Sequence, residues 1–337
     1  MTNESTMQAL MMTKIKELQL VKVPRPIIDQ PGDVLLKVKS AGICGSDLHG
    51  YTGVTGRRIP PLIMGHEASA EVVAVGEAVT NLTAGMRVAI HPLVYPLSND
   101  QSKRRLMGMD APGAFADYVV WPAANLYPLP ENVSYEAGAL AEPVAVAVRA
   151  VSKVKIQPDN TAFIVGAGPI GLLTLAVLRA AGLEKIAVSD TSAERLALAR
   201  SLGAKLLINP LKQNPREGVN SFTGNNGVDI AFEAVGVTAT VQQTLDAIRD
   251  GGSVVWIGNN QRIIETDMQA IVTRELKIFG TYAMDENDFQ RAIHLLAAGQ
   301  VPVDKIINRR ADLREGPTLF DDLLTSPNIV KCVFNFP

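Results

Sequence analysis

The hexapeptide Gly166-Ala167-Gly168-Pro169-Ile170-Gly171 constrains this chain most, because it places three glycines where a strand must turn sharply into a helix. The apolar run Ala162-Phe163-Ile164-Val165 precedes it, and helical periodicity follows from about 169 to 181. In that setting the first glycine permits the tight turn, the second lets the backbone approach a pyrophosphate, and the third allows close helix-strand packing. Free amides and the dipole at the helix start favour the anion. Asp190 closes the next strand, Ile186-Ala187-Val188, nineteen positions after Gly171. A carboxylate there accepts hydrogen bonds from ribose hydroxyls and repels a 2′-phosphate, so NAD is favoured over NADP, with Arg195 the one nearby cation able to accommodate that phosphate. The bland alternative is an ordinary turn with Asp190 as a helix cap.

From residue 143 onward, apolar β runs alternate with helical periods. After the elements just given come a helix at about 192–202, a strand at 206–208, a strand at 228–232, a helix at about 238–249, and strands at 253–257 and 276–279. This alternation predicts an α/β fold with a Rossmann-type, doubly wound parallel sheet covered by helices on both faces. Residues 8–90 read differently, as short strands at 19–23, 34–39 and 70–75 broken by Pro and Gly, which predicts a β-rich, barrel-like domain. A helix at 287–298 and terminal strands are expected to return to that first domain. The expected division is 1–145 with 285–337, and 146–284 between them.

A chain of 337 residues with 47% hydrophobic and 20% charged side chains can build two cored domains. Its formal charge of −2 gives no electrostatic reason to bind nucleic acid or an anionic membrane, and points to a small-molecule ligand. No apolar run approaches the roughly 20 residues that span a bilayer. The start, Met1-Thr2-Asn3-Glu4-Ser5-Thr6, lacks a basic segment feeding an apolar core, so a cytoplasmic location is expected. Two cysteines, Cys44 in a ligand-like motif and Cys332 in the apolar segment Val330-Lys331-Cys332-Val333-Phe334, do not make a disulfide framework.

Cys44-Gly45-Ser46-Asp47-Leu48-His49, Gly65-His66-Glu67 and Glu142-Pro143 gather one of the two cysteines and two of the four histidines with several acids. Zinc accepts thiolate, imidazole and carboxylate together, and a catalytic zinc keeps one position open. Duller readings exist for each residue. Cys44 could be a small buried hydrophobe, His66 and Glu67 a capped turn, Glu142 an acid facing a helix dipole, and His49 a surface histidine.

With both motifs in this order, the chain resembles the zinc-dependent medium-chain dehydrogenase/reductase family over nearly its whole length. Gly65-His66-Glu67, Ala141-Glu142-Pro143-Val144-Ala145-Val146 and Val188-Ser189-Asp190-Thr191-Ser192-Ala193-Glu194-Arg195-Leu196 look most like its sorbitol (polyol) dehydrogenase branch. The resemblance implies a GroES-like catalytic domain at both chain ends and a Rossmann domain between them. It matches Cys44 and His66 to the first two catalytic zinc ligands, Glu142 to the third, and Glu67 to an adjacent acid that binds zinc directly or through water. Asp47 matches the acid that orients the ligand histidine, and Ser46 and His49 match the proton relay. Val235, Gly236, Ile257, Gly258, Asn259, Thr281, Tyr282 and Ala283 would border the nicotinamide. The implied activity is hydride transfer between a zinc-polarised secondary alcohol and NAD, in a dimer or tetramer.

Four departures stand out. His91 to Gly113 is short and free of the cysteines that hold a structural zinc in much of the family, so one zinc per chain is expected. Lys103-Arg104-Arg105 in that stretch reads as a solvated loop, with an anionic substrate or a neighbouring subunit as the sharper alternative. Gly50, Ala283 and Met284 replace the Tyr and the Arg-Tyr pair common in the polyol branch. Tyr51 and Tyr282 are close enough in sequence to compensate. A threonine-type or simple alcohol dehydrogenase therefore stays open beside the polyol reading, as does a non-catalytic nicotinamide-nucleotide sensor; a zinc-free quinone reductase would not need Cys44, His66 and Glu142 together.

Overall fold

The computed structural model describes residues 5–95, 104–326 and 328–337. The chain divides into two compact units, Met1–Glu142 with Ile307–Pro337, and Pro143–Ile306. Among the described residues no helix is long and apolar enough to cross a membrane.

The first unit is built around the strand Asp33–Gly42, whose alternating pattern buries Val34, Leu36 and Val38 completely. It is the centre of a seven-stranded sheet in the order Leu126–Pro128, Arg87–Ile90, Glu67–Val75, Asp33–Gly42, Lys331–Asn335, Ile307–Ala311, with Tyr118–Pro122 also pairing to the central strand. A second, three-stranded sheet places Thr6–Lys14 between Glu17–Pro24 and Leu62–Ile63. Phe115 joins the elements of the core, meeting Phe334 and Phe320 edge to face at centroid separations of 5.2 and 6.2 Å. Such aromatic pairs add to plain burial because ring edges and faces carry opposite partial charge. The polar segment 91–113, where described, also packs inward: a Cβ on Gly113 would lie 2.2 Å from the Met64 carbonyl oxygen, so backbone lies on backbone behind Gly65. Of the basic cluster, Lys103 lies outside the described residues, and the Arg105 guanidinium lies 5.2 Å from the Trp121 ring centroid.

The second unit carries the expected parallel sheet. Its strand order is Leu206–Ile208, Lys185–Ser189, Thr161–Val165, Val228–Glu233, Ile248–Trp256, Lys277–Gly280, every neighbouring pair parallel. The first strand in sequence, Thr161–Val165, lies in the middle with Ala162, Phe163 and Ile164 fully buried, as a strand covered on both faces must be. Helices Pro169–Ala180, Ala193–Ser201 and Thr238–Ala247 stand where periodicity places them. Helix Pro215–Thr223, unforeseen, starts on Asn214 and stops on the left-handed Gly224.

The expected boundary at residue 285 is wrong. Helix Glu286–Ala297 belongs to the second unit, and the chain returns to the first only at Ile307. The helix buries Phe289, Ala292, Ile293 and Leu296, and at its start Arg149, on helix Ala141–Ser152, donates to Asp285 at 2.5 Å and Asp288 at 3.2 Å, tying it to the helix that opens this unit. At the other end, the boundary falls inside helix Ala141–Ser152, after Glu142 rather than Ala145.

Truncating Phe115 to Ala should cost about 3–5 kcal/mol, the usual penalty for emptying a large aromatic site. Urea unfolding of the first unit, followed by its tryptophan emission, should show that loss; a shift below about 1 kcal/mol would mean that the ring does not organise this core.

Candidate active site

The first unit gathers its chemistry around the end of the central strand. Asp33–Gly42 runs through Ile43 into Cys44, the extended N-cap of helix Gly45–Tyr51. Asp47, third residue of that helix, reaches back so that its Oδ2 accepts the Cys44 amide at 3.0 Å. Its other oxygen, Oδ1, accepts from Arg58 Nη2 at 2.9 Å and faces His66 Nδ1 at 3.5 Å. With Asp47 on that nitrogen, the remaining ring nitrogen is left to a ligand, the arrangement metal-binding histidines favour. Strand Glu67–Val75 pairs with the central strand so that Glu67 lies opposite Gly42, and a Cβ on Gly42 would meet Glu67 Oε2 at 2.1 Å. The C-terminal strand lies on the other edge of the central strand, where the Ile43 amide donates to the Cys332 carbonyl at 3.0 Å. That register delivers Lys331, whose Nζ donates to the Ile43 carbonyl at 2.9 Å and pairs with Glu67 Oε2.

Cys44, His66 and Glu67 each offer one donor atom within 4.8 Å of the others, the only such group of three among the described residues. Sulfur, nitrogen and oxygen together suit zinc, which takes such donors at about 2.0–2.3 Å. The carboxylate in this group is Glu67. Glu142, expected as the third ligand, stands outside it at the start of helix Ala141–Ser152. The reason is topological: Glu67 opens a strand immediately after His66, whereas Glu142 comes from a separate helix.

Charge balance shapes the cluster. Burial alone would raise the Asp47 carboxyl, but His66 and Arg58 outweigh it and hold the group at about 2. Burial disfavours protonated His66, yet Asp47 and Cys44 raise its proton affinity well above the ordinary value. Glu142 is pushed up to about 7, first by burial and then by Glu67 and Asp47, against His66 and Lys331. Burial would lower Lys331, but Glu67 and Cys44 keep it charged. A metal needs its ligands as thiolate, neutral imidazole and carboxylate, so a proton held by His66 has to leave when a cation binds there. Ser46 and His49 share the helix with Asp47, and His49 is lowered by burial and by Arg58.

Tyr51 does not fill the place of the missing polyol-branch tyrosine. It is 2% exposed, and its hydroxyl donates to Asp321 at 2.9 Å, sharing that one proton with the Lys16 carbonyl oxygen at 3.1 Å, so burial and Asp321 raise it to about 12. Tyr282 is 48% exposed on the other unit.

In the second unit, every residue expected to meet the dinucleotide lies just beyond the carboxyl end of a parallel strand or on the helix turn that follows, where ligands of open α/β sheets bind. Gly166 has φ +98°, and Gly168 caps helix Pro169–Ala180 with open space where a side chain would stand. A Cβ on Gly171 would fall 1.8 Å from the Gly166 carbonyl oxygen, so the third glycine is obligatory for packing. Ile170 supplies the carbonyl that Thr174 caps. Asp190 accepts from the Ala167 amide at 2.7 Å and the Ser192 amide at 2.8 Å, joining the glycine turn to the next loop, and Arg195 sits in the first turn of helix Ala193–Ser201. Val235 and Gly236 donate to the Glu233 side chain, Ile257 and Gly258 to its carbonyl. The two turns interlock, since a Cβ on Gly236 would lie 2.3 Å from the Asn259 amide nitrogen. Thr281 donates its amide to Trp256, and Ala283 takes a left-handed φ of +54°.

Three residues of this machinery went unread in the sequence: Arg58, Lys331 and Glu233. Lys331 carried a usable signal, a lone charge in an apolar strand, because such a charge is buried only with a partner.

The fold and donor set define a two-domain metal dehydrogenase, and comparison with known proteins agrees. The model for the alcohol dehydrogenase GroES-like domain matches residues 30–131, and that for the zinc-binding dehydrogenase domain matches residues 169–298. Sorbitol dehydrogenase of Bacillus subtilis (strain 168) is 32% identical, over 100% of this chain and 99% of that protein. Among solved structures, 2R,3R-butanediol dehydrogenase from Bacillus subtilis superposes with a TM-score of 0.90 at 32% identity, covering 98% of this chain and 100% of that one. A zinc-binding dehydrogenase from Sinorhizobium meliloti 1021, bound to NADP, gives 0.90 at 29% identity over 99% and 100%. The chain belongs to the zinc-dependent medium-chain dehydrogenase family, in its sorbitol dehydrogenase-like branch.

Replacing Lys331 with Met leaves Glu67 buried without its cation, which should destabilise the metal-free protein by about 3–5 kcal/mol. Loading zinc should narrow that loss, because the metal then neutralises Glu67. Urea unfolding of chelated and zinc-loaded protein measures both; a metal-free loss below about 1 kcal/mol, typical of surface pairs, would contradict the burial argument.

Proposed function

We propose that this chain oxidises a secondary alcohol of the polyol or sugar-acid class, reversibly, using NAD and a single zinc held by Cys44, His66 and Glu67. The observation that carries this reading is the convergence of three unlike donors within 4.8 Å in one unit. When bound, zinc supplies a Lewis acid for the substrate oxygen, and the nicotinamide accepts the hydride.

The protein's own groups do the rest. Asp47 orients His66, and Lys331 steadies Glu67 beside it. Ser46 takes the alcohol proton and passes it toward His49, whose lowered proton affinity leaves it neutral at pH 7 and able to accept. Glu142, at about 7, is a second buried acid able to hold a proton beside the donors. Gly166, Gly168 and the following helix turn would hold the pyrophosphate. Asp190, held by two amides, would accept from the ribose hydroxyls and favour NAD. One related structure is bound to NADP, and in this chain Asp190 and Arg195 are the residues we assign to the choice between the cofactors.

A second reading, a small secondary alcohol or vicinal diol, is favoured by one specific observation: Gly50 replaces a tyrosine, and Tyr51 is buried on Asp321 and does not take its place. The family resemblance further supports a dimer or tetramer in the cytoplasm.

A panel of polyols, aldonates, amino alcohols and simple secondary alcohols, assayed with NAD and NADP, tests the reading. NAD-linked oxidation should disappear on chelation and return with zinc, and Cys44→Ala should weaken metal binding by more than the roughly 100-fold typical of outer-sphere changes. No turnover across the panel, or turnover indifferent to chelation, would refute it. In Asp190→Ser, the NADP-to-NAD efficiency ratio should rise about a hundredfold, reflecting relief of a like-charge contact worth several kcal/mol; an unchanged ratio would remove Asp190 from cofactor choice.

A further inference from the structure

Arg58 is the most deeply buried arginine near the site, with its side chain 4% exposed, and the relay and donor roles above do not include it. Its three nitrogens are all engaged. Nη1 donates to the Ser46 carbonyl at 2.6 Å, Nη2 to Asp47 Oδ1 at 2.9 Å and to Ser46 Oγ at 3.3 Å, and Nε to the Gly108 carbonyl at 3.2 Å. The residue that makes room for it is Gly50: a Cβ there would lie 2.3 Å from Arg58 Cδ and 3.0 Å from Cγ. The glycine standing in place of the polyol-branch tyrosine therefore admits an arginine stem instead.

We propose that Arg58, admitted by Gly50, is the positioning residue that locks Asp47, the partner of His66, and the relay hydroxyl of Ser46 into one rigid unit. The inference rests on the reading of Ser46 as the proton relay. A guanidinium is permanently charged and only donates, so a serine oxygen that accepts from it must direct its own proton elsewhere. The planar fork also ties two consecutive residues of the helix at once, which a single ammonium cannot do. The Gly108 carbonyl fixes the far side of the fork on the segment packed behind Gly65.

The test uses the full-length enzyme with cobalt(II) replacing zinc, whose thiolate absorption reports binding without turnover, together with kcat and its solvent isotope effect. Arg58→Met should weaken cobalt binding about 10–100-fold, as loss of an outer-sphere partner does. It should lower kcat about tenfold or more with KM nearly unchanged, and enlarge the solvent isotope effect, because proton transfer is what becomes slow. Arg58→Lys should restore cobalt affinity, since the charge facing Asp47 returns, while kcat stays low for want of the fork. Combining Ser46→Ala with Arg58→Met should be no slower than Ser46→Ala alone, the mark of residues acting as a unit. Arg58→Met within about twofold of wild type in both cobalt affinity and kcat overturns the proposal, and so do losses that multiply in the double variant. Should Arg58→Met fail to fold, Arg58→Lys decides alone: wild-type kcat overturns the proposal, and low kcat with intact cobalt affinity supports it. A wild-type protein that binds cobalt yet oxidises no alcohol refutes the functional reading, and the cobalt comparison still decides Arg58.

Discussion

Two buried ion pairs, Asp47 with Arg58 and Glu67 with Lys331, hold the donor cluster in place. Four charged side chains removed from water would each cost several kcal/mol if left alone, so each is tolerated only opposite a partner with good geometry. Arg58 follows Asp47 closely in the chain, but Lys331 lies 264 positions after Glu67. Bringing Lys331 to Ile43 requires the C-terminal strand to lie beside Asp33–Gly42, which in turn requires the chain to leave the first unit at Glu142 and come back at Ile307. The split domain and the charge pairing are therefore one constraint seen at two scales. The same pairing explains why Gly42 and Gly50 are glycines, because Glu67 and Arg58 occupy the space that side chains there would need.

The second unit meets a different requirement, close approach of backbone. Gly166 and Gly171 bring strand and helix together, while Gly236 and Gly258 let two neighbouring turns interlock over the Glu233 carboxylate. Open backbone at the carboxyl ends of the strands leaves amides and carbonyls available to a ligand without intervening side chains.

Much of this was legible beforehand, for local reasons. The glycine hexapeptide, the β runs around it and Asp190 are read within windows of a few residues, and helices Pro169–Ala180, Ala193–Ser201 and Thr238–Ala247 fall within a few residues of where periodicity puts them, whereas Pro215–Thr223 and Met268–Thr273 were not read. Cys44, His66 and Glu67 were legible as donors from their chemical types. What was illegible was long-range. Which carboxylate stands within 4.8 Å of Cys44 and His66 depends on strand pairing, and that carboxylate is Glu67. Tyr51 looked available until Asp321, 270 positions away, was seen to bind its hydroxyl. The boundary at 285 failed because a helix carries no mark of which unit it packs on, and one contact that ties it there is an arginine 136 positions earlier. Arg58 entered no motif of the sequence, and Lys331 sat in a segment read only as apolar.

The account stands on one ion held by sulfur, nitrogen and oxygen together. X-ray absorption at the zinc edge of the purified protein measures that shell directly. It should contain a single sulfur at about 2.3 Å, with the remaining neighbours nitrogen or oxygen at about 2.0–2.2 Å. A shell with no sulfur, or one made of sulfur alone, would contradict the assignment of Cys44, His66 and Glu67.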